Sequence, residues 1–253
     1  MTNKIKYFIG NWKMFGDIGS FKIIYKINKF KQEFQKLSKK NKIILCVPST
    51  LIFIFKKKLK SKLVSLGAQN CHHEQRYGSF TGSISASMLK KSGAQYIILG
   101  HSENRLDGES NLLIKKKIES SLIQKLNVIF CIGETLKEKR EGKTYSVLKK
   151  QIKDSLSKKF NINKIILAYE PVWSIGTNKT PKAKDLKKII LFIKSIYKKI
   201  YKTKKIPRVL YGGSVNPRNI RIFSSISEID GFLIGGASQS SKKFIDIIKN
   251  YYK

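Results

Sequence analysis

The sequence predicts an α/β fold: a closed (β/α)8 barrel of eight parallel strands with outer helices. Three observations carry this expectation. Eight short apolar runs recur along the chain, helical stretches separate them, and 253 residues is the right size for eight such units. A doubly wound open sheet is the rival arrangement. No linker, sequence-level repeat or low-complexity segment marks a second domain, so residues 1–253 are expected to form one barrel domain.

The expected strands are, in order, Lys6 to Gly10, Ile43 to Val47, Leu63 to Gly67, Gln95 to Leu99, Val128 to Ile132, Ile165 to Tyr169, Val209 to Tyr211 and Gly231 to Ile234. They are apolar at nearly every position rather than at alternate ones. That pattern belongs to a parallel sheet buried on both faces. The clearest helix runs from about Pro181 to Tyr201. Its apolar residues Leu186, Ile189, Ile190, Ile193, Ile196, Tyr197 and Ile200 recur at spacings of three and four, with lysines opposite. Thr180 is expected to cap it, with Pro181 in the first helical position.

The balance of 52 basic against 16 acidic residues gives a net charge of +36. Such a charge raises the question of nucleic acid or an anionic membrane. The lysines, however, recur on every polar helical face (Lys56 to Lys58, Lys115 to Lys117 and Lys149-Lys150 among them) and form no single stripe with interleaved aromatics. A solvated lysine surface is therefore expected, with no specific nucleic-acid or membrane partner. Cys46, Cys71 and Cys131 are odd in number and widely spaced, which argues against a disulfide framework or a zinc motif. The first residues carry only a four-residue apolar run, so no signal peptide is expected, and the longest apolar runs are too short to span a membrane. A cytoplasmic protein is the expectation.

A barrel places its chemistry at the C-terminal ends of the strands. The unusual polar residues of this chain stand there. After the first strand comes GNWKM, where alternation along an extended segment would turn Asn11 and Lys13 to one side. After the fourth comes GHSE. His101 follows Gly100, and Ser102 can open a helical turn whose N-terminus, aimed at the ring, disfavours imidazolium. His72 and His73 have no partner spacing for a metal and read as loop residues. Glu170 closes the sixth strand beneath the apolar segment PVWSIGT. Desolvation there would raise its basicity, making it a candidate general base under a cover. YGGSV and IGGAS end the seventh and eighth strands, and Gly212, Gly213, Ser214, Gly235 and Gly236 together fit a phosphate cradle of backbone N–H groups. No Walker or dinucleotide glycine motif is present.

The ordered set GNWKM, GAQN, FTG, GHSE, CIGE, YEPVW, IGT, YGGSV and DGFLIGGAS resembles the triosephosphate isomerase family over essentially the whole chain. This family is itself a standard worked example of acid–base tuning. The resemblance implies interconversion of dihydroxyacetone phosphate and D-glyceraldehyde 3-phosphate through an enediolate, in glycolysis and gluconeogenesis, with no metal or organic cofactor. It implies Glu170 as general base, His101 as neutral electrophile, Lys13 and Asn11 as substrate and oxyanion stabilisers, and Glu103 as a supporting carboxylate. Gly176, Ser214, Gly235 and Gly236 match the phosphate-gripping groups, and the segment from Pro171 to about Lys179 matches the closing lid.

The chain departs from the family pattern in places. Ser174 and Asn178 stand where the lid usually has Ala and Gly, and the loop after His101 is one residue shorter, at Leu106 to Glu109. Asn tolerates positive φ better than most residues, which favours a preserved hinge. The resemblance also implies a homodimer built by the loop Cys71 to Ile84. Ser83 and Asn104 replace the Glu and Arg that usually pair across that interface. A nucleic-acid-binding protein on a retired barrel would account for the charge but not for the intact Asn11, Lys13, His101 and Glu170. Another phosphate-binding barrel would account for the glycine pairs but not for GHSE and YEPVW together.

Overall fold

The computed structural model describes residues 5–34, 40–61, 63–177 and 179–253. Eight strands form the barrel: β1 Lys6–Asn11, β2 Asn41–Cys46, β3 Val64–Ala68, β4 Tyr96–Leu99, β5 Asn127–Ile132, β6 Ile165–Tyr169, β7 Arg208–Tyr211 and β8 Gly231–Ile234. Each pairs in parallel with its sequence neighbours. β1 also pairs with β8, from Tyr7 against Gly231 to Gly10 against Ile234, which closes the sheet. All eight expected strands are present, with ends shifted by at most two residues.

The strands are apolar throughout because each faces two cores. Tyr7, Ile9, Ile44, Ile98, Ile129, Ile166, Leu210 and Leu233 fill the barrel interior. Their neighbours Phe8, Ile43, Leu45, Ile97, Leu99, Val128, Phe130, Leu167, Val209 and Phe232 pack outward against the helices. Successive strand side chains point to opposite faces, so one strand feeds both clusters. Each fully buried Leu, Ile or Phe contributes about 1.5–3 kcal/mol relative to exposure.

The helix expected from about Pro181 spans Ala183–Tyr201 and buries Leu186, Ile190, Ile193, Ile196 and Tyr197, as its periodicity requires. Its start differs from the expectation. The N-cap position is Lys182, and no side chain caps it, so Thr180 is not the cap and Pro181 lies before the helix. Asp185 in the first turn complements the helix dipole instead.

The lysine surface also needs one correction. Lys117 is not solvated: it is 7% exposed and pairs with the Glu109 carboxylate, which also accepts from Asn70 Nδ2 at 2.7 Å. A buried ammonium is tolerable only when paired in this way. The three cysteines are buried and free. Among the described residues no helix is long and apolar enough to cross a membrane.

Candidate active site

A cavity of about 540 Å3 opens at the C-terminal mouth of the barrel, and Asn11, Lys13, His101 and Glu170 line it. Gly176, Ser214, Gly235 and Gly236 line it too, so residues spread over more than 220 positions of sequence meet at one site. Glu103 is outside this lining and reaches it through Lys13.

The end of β1 sets the first pair. Trp12 is fully buried, its N–H donates to the Cys46 carbonyl at 3.0 Å, and its carbonyl accepts from Gln239 Nε2 at 2.8 Å. Beyond it the chain does not continue extended. Lys13 has φ of 58°, and its N–H donates to Asn11 Oδ1 at 3.1 Å. Asn11 and Lys13 do face one cavity, but through this left-handed turn rather than through strand alternation. A non-glycine residue at positive φ is strained and tends to be found where function needs it. The Lys13 ammonium pairs with the Glu103 carboxylate.

His101 follows Gly100 just beyond β4 and takes the N-cap position of the helix Ser102–Leu106. The Glu103 N–H donates to its Nδ1 at 3.2 Å. An Nδ1 that accepts has a free lone pair, so the ring proton of the neutral tautomer sits on Nε2. That nitrogen lies 3.4 Å from Glu170 Oε1. Arg105 braces the base of this turn: Nε donates to the Gly100 carbonyl at 2.8 Å, and Nη2 donates to the Cys131 carbonyl at 3.3 Å.

Glu170 follows β6, with its N–H donating to the Ile132 carbonyl at 2.8 Å. It is 3% exposed, and Oε2 has no hydrogen-bond partner among the described residues. Burial raises its pKa above the ordinary carboxyl value, opposed in part by His101, the Cys131 thiol and Lys13. A desolvated carboxylate with a free oxygen is a stronger base than one in water. Gly212 leaves it room: a Cβ there would stand 2.6 Å from Glu170 Cγ.

Other residues act here that sequence reasoning gave no role. Glu134, from CIGE, is 1% exposed. Its Oε1 accepts from Trp173 Nε1 at 2.9 Å and from the Tyr169 hydroxyl at 3.1 Å, so it anchors the apolar segment over Glu170. Burial raises its pKa as well. The signal was available: an acid stood at a strand end in a chain poor in acids. Arg218 and Lys243 also line the cavity and add positive charge beyond the glycine turns. Their detection from sequence fails because they are two among 52 basic residues.

The turn after β8 is a short 3-10 helix, Gly236–Gln239, held by the Ser238 N–H and hydroxyl donating to the Gly235 carbonyl at 2.8 and 2.7 Å. The segment 171–179 begins with the 3-10 turn Val172–Ser174 and exposes Gly176 at φ of 71°. Asn178 lies outside the described residues. His72 and His73 stand away from this cavity, their rings 4.3 Å apart and His72 stacked on Phe80 at 4.2 Å.

A buried carboxylate facing an imidazole, with an ammonium and glycine turns beside them, suits a barrel isomerase of the intramolecular oxidoreductase class. The comparisons agree. A family model described as triosephosphate isomerase matches residues 6–251. The triosephosphate isomerase of Dictyoglomus thermophilum is 42% identical over 254 residues, covering 97% of this chain and 99% of that relative. That of Dictyoglomus turgidum is 40% identical over 253 residues, with the same coverage. The crystal structure of triosephosphate isomerase from Bartonella henselae superposes with a TM-score of 0.84 at 35% identity, covering 98% of this chain and 99% of that one. The chain belongs to the triosephosphate isomerase family.

Proposed function

We propose that Glu170, His101, Lys13 and Asn11 carry out the family's reaction, the interconversion of dihydroxyacetone phosphate and D-glyceraldehyde 3-phosphate, in one barrel domain spanning residues 1–253. The observation that carries this assignment is the Glu170–His101 pair: a buried carboxylate in the lining of the cavity with one oxygen 3.4 Å from Nε2. The Glu170 carboxylate takes the proton from the carbon next to the carbonyl. His101 Nε2–H donates to the carbonyl oxygen, and the Lys13 ammonium and Asn11 amide stabilise the negative charge that develops there. His101 gives its Nε2 proton to that oxygen and takes the hydroxyl proton from the neighbouring oxygen, and Glu170 then returns its proton to the neighbouring carbon, which leaves both side chains as they began. Glu103 holds Lys13 until substrate arrives. The N–H groups of Gly176, Ser214, Gly235 and Gly236 hold the phosphate, and closure of 171–179 excludes water from the enediolate. A coupled assay with dihydroxyacetone phosphate tests the reading: turnover without added metal is expected, and no turnover by the folded protein overturns it.

The protein works as a homodimer in the cytoplasm, on this reading. Free buried cysteines fit a reducing compartment. Met14 is wholly exposed, and Tyr77, Phe80 and Met88 are exposed around the loop Cys71 to Ile84, an apolar surface that a second subunit would cover. Ser83 and Asn104 are both uncharged, so burial strands no ion. Introducing one charge, by Ser83→Glu or Asn104→Arg, should weaken the dimer, by at most roughly 3–5 kcal/mol at full burial. The double change should recover most of the loss, giving a favourable coupling term. Sedimentation of the four proteins checks this: a monomeric parent at micromolar concentration, or additive single effects, would count against the interface.

A further inference from the structure

The reaction as assigned gives no role to the hydroxyl of Ser174 in the lid segment. Ser174 is fully buried. Its Oγ–H donates to the Lys179 carbonyl at 2.5 Å. Two lone pairs remain on a hydroxyl oxygen. One faces the Tyr211 hydroxyl at 3.1 Å, which must then be the donor, because the Ser174 proton is already committed. The other accepts the Ser214 backbone N–H at 3.3 Å. One oxygen thereby ties the two ends of the segment 171–179 to each other, to the end of β7 and to the glycine turn. Gly213 keeps the junction clear: a Cβ there would stand 2.2 Å from the Tyr211 hydroxyl and 2.6 Å from Ser174 Oγ.

We propose that the Ser174 hydroxyl is a latch: it holds the lid segment by occupying the Ser214 amide, and a phosphate group that reaches this amide displaces it and releases the lid. The inference rests on reading the Ser214 N–H as part of the phosphate cradle. The exchange favours phosphate. At 3.3 Å the amide bond to Ser174 is beyond the usual N–H···O range, whereas an anionic oxygen accepts a shorter bond about twice as strong. Ser174 touches no reacting atom in this scheme. It is a positioning residue that makes phosphate compete with the lid's own hydroxyl, and an alanine at this position could not do so.

The test is titration of the full-length protein with inorganic phosphate, followed by calorimetry and by Trp173 fluorescence, together with hydrogen exchange of the 171–177 amides. Ser174→Ala should bind phosphate about five-fold tighter, the worth of one ordinary hydrogen bond. The KM for dihydroxyacetone phosphate should fall in parallel, and the unliganded lid amides should exchange faster. Ser174→Cys, with a weaker acceptor of similar shape, should fall between the two. Tyr211→Phe removes one tie yet leaves the Ser214 amide engaged, so lid exchange should rise while phosphate affinity stays within about two-fold. Unchanged or weaker phosphate binding in folded Ser174→Ala, whatever its lid exchange, would reduce Ser174 to a structural brace and overturn the latch. A parent protein that fails to bind phosphate would instead overturn the cradle reading, and the latch with it.

Discussion

Replacing Glu170 with Asp is expected to lower kcat on the order of 10²-fold at unchanged fold. The substitution keeps the charge and withdraws the carboxylate by one methylene, roughly 1 Å, and misplacement on that scale costs about this much. The site offers no easy compensation. Glu170 is enclosed, with Gly212 against its Cγ and His101 Nε2 at 3.4 Å, so the shorter side chain cannot be carried forward without moving β6 or β7. Steady-state kinetics of the folded variant decide the matter, and parental activity would remove Glu170 from the role of base. Glu170→Gln should abolish turnover and at the same time raise the melting temperature at pH above the folded pKa of Glu170. The sign follows from burial. The folded pKa of Glu170 is raised, and that of Glu134 with it, so the native state holds these protons to higher pH than the unfolded chain does. Their contribution to stability is fully present below the ordinary carboxyl range and is lost as pH rises through the folded values. Once pH exceeds the folded value, the ionised, buried Glu170 is therefore a cost, which glutamine removes. A scan at acidic pH, where the parent carboxyl is protonated, should show a smaller gain.

Lys13→Ala should be nearly as damaging, on the order of 10²–10³-fold in kcat, the usual loss when one stabiliser of a developing oxyanion is removed. The informative comparison is with charge elsewhere. Lys149 and Lys150 are exposed lysines, and removing both lowers the net charge by two where Lys13→Ala lowers it by one. Charges further than about 8 Å from the substrate are screened at physiological salt, so the double variant should retain activity within about two-fold. The trio Lys115 to Lys117 would be a misleading control, because Lys117 is buried against Glu109 and its loss would leave that carboxylate unpaired. Equal losses in Lys13→Ala and in the Lys149 and Lys150 double variant would mean that bulk charge, not the local site, draws the substrate.

The strands and the mouth of the barrel were legible in the sequence for a physical reason. A strand buried on both faces has to be apolar at every position, and a polar residue at its end has few structural reasons to be there. The run Ile165 to Tyr169 followed by Glu170 satisfies both conditions, and so does Tyr96 to Leu99 followed by His101. Periodicity found the helix Ala183–Tyr201 because its apolar stripe is continuous, yet placed its start two residues early. A Thr-Pro pair has capping chemistry whether or not the backbone there turns into helix.

What the sequence determined alone was therefore the order of elements and the identity of the polar residues at the strand ends, both set by local patterning, whereas closure rests on β1 pairing with β8. Tertiary structure decided the rest, because those properties depend on what another part of the chain brings. Lys13 turns inward through a left-handed residue that no alternation rule would place there, and Glu103 meets its ammonium from 90 positions away. Glu134 becomes the anchor of the Val172–Ser174 turn only when β6 sets Tyr169, and the loop beyond it sets Trp173, around one carboxylate oxygen. Ser174 differs from an alanine by one oxygen. That oxygen acquires its three partners only where Lys179, Tyr211 and Ser214 converge, and a hydrogen bond has no strength until its donor and acceptor are brought within reach.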